Sequence, residues 1–203
     1  MKWLDRLRIA YYHHKRHKQF GHDKARTLGW QDKYSQISRF EALCRDLDLN
    51  DKTILDLGCG YGDLLEFIER RGQQPKSYTG IDQLRSFLYN AEQRDFRTQT
   101  EFICGDFSRL TLQDSDYVFA SGSLNYQSSN PHHTIEMIER MYATAREGCV
   151  FNLLDEAKLP SMKMLASHNK EGVLRYCRIL CSRVELVEGY SEHDFTIVMR
   201  KVL

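Results

Sequence analysis

The sequence predicts an α/β fold: a doubly wound, mostly parallel seven-stranded sheet that ends in an antiparallel hairpin and is preceded by an N-terminal helical cap. Three observations predict it. Ile54-Leu55-Asp56-Leu57 is a short apolar run after the turn-like Asn50-Asp51-Lys52, and three alternate glycines separate it from Leu64, Leu65, Phe67 and Ile68 at helical spacing. Further short apolar runs and helical periodicities then alternate as far as Leu154. Last, Val184-Glu185-Leu186-Val187 and Phe195-Thr196-Ile197-Val198-Met199 are joined only through a short polar stretch containing Gly189, close enough for a hairpin.

Composition bounds the rest. A chain of 203 residues with 41% hydrophobic and 11% aromatic side chains has the material for one cored domain with appendages. The pattern divides it into a helical cap or lid, residues 1–49, and a main domain, residues 50–203. No apolar run approaches the roughly 20 residues that span a bilayer, and Met1-Lys2-Trp3-Leu4-Asp5 lacks the unbroken apolar stretch of a secretory signal. The expectation is a cytoplasmic protein with no membrane partner. Six scattered cysteines form no C-x-x-C pair, which predicts buried reduced thiols and no metal or disulfide framework.

The net charge of +1 is unevenly spread. Residues 1–26 hold eight Lys or Arg against Asp5 and Asp23, a net of +6, which leaves about −5 for the remainder. Trp3, Leu7, Ala10 or Tyr11, and His14 recur at three- to four-residue steps, so this stretch reads as a basic amphipathic helix. It could dock as a lid, stand in solvent, or meet an anionic partner such as nucleic acid. His13 and His17 stand one helical turn apart, but no carboxylate or cysteine partner lies nearby to complete a metal site. Gly29 breaks the run, and Trp30, Tyr34, Ile37, Phe40 and Cys44 mark a further helix before the first strand.

The glycine turn carries the chemistry. Glycines at 58, 60 and 62 permit unusual torsions and let a ligand approach the backbone, and the amides of the next helix favour a polar or anionic group. The dinucleotide fingerprint is G-x-G-x-x-G, whereas this spacing is G-x-G-x-G with Asp56 two residues ahead. A carboxylate there would repel a pyrophosphate but could hold an ammonium group. The stretch resembles motif I of the class I S-adenosylmethionine-dependent methyltransferases, an acidic residue followed by x-G-x-G-x-G.

The later strands extend the resemblance. Tyr78-Thr79-Gly80-Ile81-Asp82 is a second strand with an acid at its end, twenty residues past Gly62, where a carboxylate can accept both ribose hydroxyl protons. Glu101–Phe107 reads as a third strand and its exit, and Asp106 and Phe107 match the family positions that meet adenine. A fourth strand, Asp116–Ala120, runs into Ser121-Gly122-Ser123-Leu124-Asn125-Tyr126, beside which the family's methyl acceptor approaches. Asn130-Pro131 is expected to open a helix with proline in its first position, Cys149–Leu154 to be the fifth strand, and residues 155–169 to border the acceptor site. A last helix near 170–181 precedes the hairpin, a finish that the methyltransferase fold has and the dinucleotide fold lacks.

The resemblance implies S-adenosyl-L-methionine as cofactor. Asp56, Gly58, Cys59, Gly60 and Gly62 would serve its methionine end, Asp82 and Gln83 its ribose, Asp106 and Phe107 its adenine, and Ser121 would offer its carbonyl to the amino group. Trp30 and Arg39 of the cap would complete the pocket, Arg39 by pairing with the methionine carboxylate. Catalytic residues are unknown; Asn125, Tyr126, His132, His133 and Tyr34 are candidates by location. No Asn/Asp-Pro-Pro-aromatic tetrapeptide and no Pro-Cys nucleophile is present, which disfavours DNA-base methylation. The expected activity is methyl transfer to a small molecule. An RNA or protein methyltransferase recruited by the basic arm, a non-catalytic cofactor-binding module and a dinucleotide oxidoreductase remain as alternatives.

Overall fold

A computed structural model of the protein describes residues 1–21 and 23–202. Three helices come first: α1 (Trp3–Phe20), α2 (Lys24–Leu28) and α3 (Lys33–Leu43). The sheet then opens with β1 (Thr53–Leu57), α4 (Asp63–Arg70), β2 (Ser77–Asp82), α5 (Arg85–Glu92), β3 (Gln99–Cys104) and β4 (Ser115–Ala120). After a single 3-10 turn come α6 (His133–Thr144), β5 (Ala145–Asp155), the two-residue β6 (Ser167–His168), α7 (Lys170–Leu180), β7 (Arg183–Val187) and β8 (Asp194–Arg200).

The strand order is β3-β2-β1-β4-β5-β8-β7, with β6 added against the end of β5. β1 to β6 pair in parallel, and β8 runs antiparallel between β5 and β7. The expected seven strands and terminal hairpin are present, and β6 is the addition. β1 lies inside the sheet between β2 and β4, so both of its faces are covered and its apolar run is continuous. Leu55 and Leu57 join one core with Met137, Ile138 and Met141 of α6 and Cys177 of α7. Ile54 joins the other with Phe40 and Leu43 of α3, Leu64 and Leu65 of α4, and Leu88 of α5. Asp56 therefore points to the second face, among apolar neighbours.

Four details depart from the sequence reading. On α1 the docked face is Asp5, Ile9 and His13, whereas Trp3, Leu7, Tyr11 and His14 face outward. Polar anchors override the apolar stripe: Asp5 Oδ2 accepts from the amide and hydroxyl of Ser129 at 3.1 and 2.8 Å. Tyr34, read as part of a buried helix face, is 80% exposed. α6 begins at His133 and not at Pro131, because the Asn130 side chain accepts from the His132 amide at 3.0 Å and holds a turn there. Cys104 is exposed, while the other five cysteines are buried and free.

Candidate active site

Where β1 ends, Gly58, Gly60 and Gly62 all take positive φ, at 85°, 56° and 73°. A side chain at Gly58 would overlap Ser123 Cβ, and one at Gly60 would come within 2.8 Å of Leu28 Cδ2. The turn is thus pressed between the loop after β4 and the helical cap. It is also tied to β2: the amides of Gly58 and Cys59 donate to the Ile81 carbonyl at 2.7 and 3.2 Å. Asp82 completes the tie, accepting from the amides of Gly60 at 3.1 Å and Leu84 at 2.8 Å.

Two carboxylates sit here, Asp56 buried and Asp82 partly buried. Asp56 Oδ2 accepts from the Tyr78 hydroxyl at 2.5 Å, while Oδ1 has no partner among the described residues. Burial pushes the Asp56 carboxyl up to about 7, with the charges of Asp82 and Asp63 adding to the effect. Burial also raises Asp82, to about 6, against the lowering effect of its amide donors. Among the described residues neither acid forms an ion pair.

A cavity of about 270 Å³ lies outside the carboxyl ends of β1 and β4, where the strand order reverses. Asp56, Gly58, Cys59, Gly60, Asp82 and Gln83 line one side of it. Asp106 and Phe107 line it beyond β3, and Ser121, Asn125 and Tyr126 after β4. Trp30 and Arg39 close it from the cap. Tyr34, His132 and His133 are not brought to it: Tyr34 and His132 are exposed, and His133 is buried elsewhere on α6. Gly62 supports the turn as the N-cap of α4 without lining the cavity.

Arg39 lies under Trp30, its guanidinium carbon 4.8 Å from the ring centroid, and pairs with the buried Asp194. Asp194 also accepts from Ser191 Oγ at 2.6 Å and Asn152 Nδ2 at 3.2 Å. The guanidinium is therefore neutralised inside the protein. Asn125 is buried and structural at its amide: its Oδ1 accepts from the Leu154 amide at 3.2 Å. Its carbonyl accepts from Ala166 at 2.8 Å, which helps to pin the 155–169 stretch over the cavity, where Leu159 and Leu165 face it.

His13 enters from α1. Its Nδ1 is 3.1 Å from the Thr27 carbonyl, which can only accept, so Nδ1 carries the proton. Nε2 is then an acceptor, and the Tyr126 hydroxyl donates to it at 2.7 Å. Burial lowers the His13 pKa to about 4 and raises that of Tyr126, so both are neutral near pH 7. The sequence pointed to His13 only as one of two histidines a turn apart. Its partners are 14 and 113 residues away, beyond the reach of a spacing argument. Among the described residues no cluster of three or more metal-ligating side chains exists.

The polar inventory of the cavity fits a ligand carrying a cation, amino groups and hydroxyls. Six buried polar atoms on its lining residues have no hydrogen-bond partner among the described residues: Trp30 Nε1, Arg39 Nε, Asp56 Oδ1, Asp106 Oδ2, Ser121 Oγ and His193 Nδ1. Buried polar atoms are rarely left unpaired, and two of these are acceptors from carboxyl groups. S-adenosylmethionine offers complementary donors, a positive charge and a carboxylate.

Comparison with known proteins agrees. A family model described as a methyltransferase domain matches residues 54–148. A Mycobacterium tuberculosis protein named as a methyltransferase, Rv1506c, is 31% identical over 160 residues, covering 73% of this chain and 93% of that protein. The malonyl-[acyl-carrier protein] O-methyltransferase of a Marinomonas species is 30% identical over 155 residues, covering 71% of this chain but 56% of that one. The solved magnesium protoporphyrin IX methyltransferase of Synechocystis with bound S-adenosylmethionine superposes with a TM-score of 0.67 at 15% identity, over 96% of this chain and 97% of the other, a likeness of fold. With the glycine turn, the sheet order and a near full-length relative in agreement, the chain belongs to the class I S-adenosylmethionine-dependent methyltransferases.

Proposed function

We propose that this methyltransferase acts on a protic oxygen of a small, largely apolar molecule. The observation that carries the reading is the bond between Tyr126 and His13 at the wall of the cavity. Tyr126 spends its only proton on His13, so its oxygen offers acceptor capacity to a bound hydroxyl. Leu28, Phe87, Leu154, Leu159 and Leu165 supply an apolar surround, and a Marinomonas relative is named for O-methylation.

In this reading Gly58, Cys59 and Gly60 present backbone to the cofactor, Asp56 meets its ammonium end, and Asp82 with Gln83 takes the ribose. Asp106 and Phe107 take the adenine, and Ser121 and Trp30 supply polar atoms to the remaining wall. Arg39 acts by holding Asp194 and Trp30 in place. When bound, S-adenosylmethionine supplies an electrophilic methyl group whose bond to sulfur breaks with the electron pair left on sulfur. The chain's part is orientation, exclusion of water and proton transfer. As the acceptor oxygen forms its new bond to carbon, its proton passes to Tyr126 Oη and the tyrosine proton to His13 Nε2. Because burial keeps that imidazole a weak base, the proton leaves for water when the site opens.

Calorimetry with S-adenosylmethionine and S-adenosylhomocysteine, with NAD as control and Asp82→Ala alongside, tests the cofactor site. Labelled methyl transfer to a panel of hydroxylated and carboxylated small molecules, read by mass spectrometry, tests the acceptor class. Oxygen-methylated products support the reading. Products methylated only on nitrogen, or label found only in RNA or protein, would overturn it.

A further inference from the structure

α1 has a second face that the cavity does not use. Trp3, Leu4, Leu7 and Tyr11 are 62%, 52%, 54% and 61% exposed. At the helical step they fall within an arc of about 100°. The other large apolar side chains exposed among the described residues, such as Tyr34, Tyr89 and Ile179, are scattered over separate elements. Scattered ones are ordinary, but a contiguous set marks an interaction surface. The helix cannot roll this arc inward, because Asp5 is bonded to Ser129 and His13 to Tyr126 and Thr27 on the opposite side.

Charge narrows the partner. Lys2, Arg8, Lys15 and Lys18 are exposed on or beside the same helix. Its one acid, Asp5, is buried, so α1 shows no carboxylate to solvent. We propose that the outward face of α1 binds an anionic lipid surface, with Leu4 and Leu7 entering the acyl boundary, Trp3 and Tyr11 at headgroup depth, and the basic side chains on lipid phosphates. A nucleic acid would use the basic residues but has no use for Leu4 and Leu7. A protein groove would accept the apolar arc but does not account for the absence of exposed acids.

No helix among the described residues is long and apolar enough to cross a membrane, so the association is peripheral. The sequence-based expectation of no membrane partner rested on the lack of a spanning apolar run, which does not address a peripheral contact; that the Trp3, Leu7 and Tyr11 stripe is left uncovered is visible only in the tertiary structure. The proposal concerns where the protein docks and is independent of the acceptor's identity.

The test is cosedimentation of the full chain with vesicles of equimolar phosphatidylcholine and phosphatidylglycerol, against vesicles of phosphatidylcholine alone. Two double variants accompany it, Trp3→Ser with Leu7→Ser, and Lys15→Glu with Lys18→Glu, each first shown to keep S-adenosylhomocysteine binding. We expect binding to the anionic vesicles that falls with salt and weakens roughly tenfold or more in each variant, with a blue shift of emission absent from the Trp3→Ser protein. Absence of binding, equal binding to the neutral vesicles, or binding indifferent to the Trp3 and Leu7 changes overturns the proposal. So does tighter binding to polyuridylate at equal phosphate, or a dimer in solution that the Trp3 and Leu7 variant abolishes.

Discussion

His13 Nε2 and the Tyr126 hydroxyl are 2.7 Å apart, which joins the first helix to the loop after β4 across 113 residues of sequence. With Nδ1 on the Thr27 carbonyl, the imidazole has one tautomer that satisfies both contacts. Nitrogen NMR of the imidazole is therefore expected to show a neutral ring protonated on Nδ1, with Nε2 shifted when Tyr126 becomes Phe. Removing that bond is expected to cost about 1 kcal/mol of stability. His13→Gln keeps an acceptor for the tyrosine proton but cannot take it up, so turnover should fall about 100-fold with cofactor affinity unchanged.

Burial of His13 also predicts a pH dependence. Its folded pKa, about 4, lies below the ordinary value of 6.5, so the unfolded chain binds the proton first as pH falls. The contribution is whole above about pH 6.5 and is lost as pH drops toward 4. Denaturant titrations should show the wild type losing about 2 kcal/mol relative to His13→Gln between about pH 7 and 5.

Asp56 has the opposite sign. Its carboxyl is held at about 7 against a normal 3.8, so between those values the unfolded chain ionises while the folded one stays protonated. Stability from this group falls as pH rises from about 4 to 7, and Asp56→Asn should remove the fall, making the free protein more stable at about pH 8 by up to a few kcal/mol. A bound cation would reverse the preference. Binding of S-adenosylmethionine should tighten from about pH 6 to 8 and release up to about one proton, seen as a buffer-dependent heat in calorimetry. Affinity that ignores pH over that span, or persists in Asp56→Asn, would separate this acid from the ligand's charge.

Gly60→Ala should be costly twice over. At φ 56° a Cβ costs roughly 1 kcal/mol or more, and it would meet Leu28 Cδ2 at 2.8 Å. Because the Gly60 amide also holds Asp82, displacement of the turn moves the carboxylate. The expected result is a folded protein with cofactor affinity reduced about tenfold or more, checked by calorimetry. Leu28→Ala in the same chain should recover part of the loss by making room.

Arg39→Ala removes the cationic partner of a fully buried carboxylate, Asp194, which among the described residues keeps Ser191 and Asn152 as donors. Leaving a buried charge without its partner costs about 3 kcal/mol. Arg39→Ala with Asp194→Asn should regain much of it in chemical denaturation. If Arg39 instead reaches a ligand carboxylate, the double variant would recover stability without recovering cofactor affinity.

Most of the sheet was legible because a parallel strand buried on both faces is a plain apolar run. Ile54–Leu57 and Tyr78–Asp82 lie within one residue of their observed strands, β1 and β2. The glycine turn was legible for a similar reason: G-x-G-x-G is local, and its torsions belong to those residues themselves. Asp56 and Asp82 followed from their places on the strands beside the turn, and Asp106 and Phe107 from the family resemblance at the exit of the third strand; all four line the cavity. His132, His133 and Tyr34 were proposed from location in the chain, and the direction of a side chain on a helix cannot be read from that. His132 faces solvent, His133 packs away from the cavity, and Tyr34 projects outward.

The sequence by itself determined the sheet, the turn and the acids that ring it, because hydrophobic periodicity and glycine torsions act over a few residues. Tertiary structure decided which face of α1 is covered. Asp5 and His13 find partners on Ser129 and Tyr126, more than a hundred residues away, and buried polar bonds outweigh a helical apolar stripe that has no surface to meet. That one choice brought His13 to the cavity and left Trp3, Leu7 and Tyr11 on the outside.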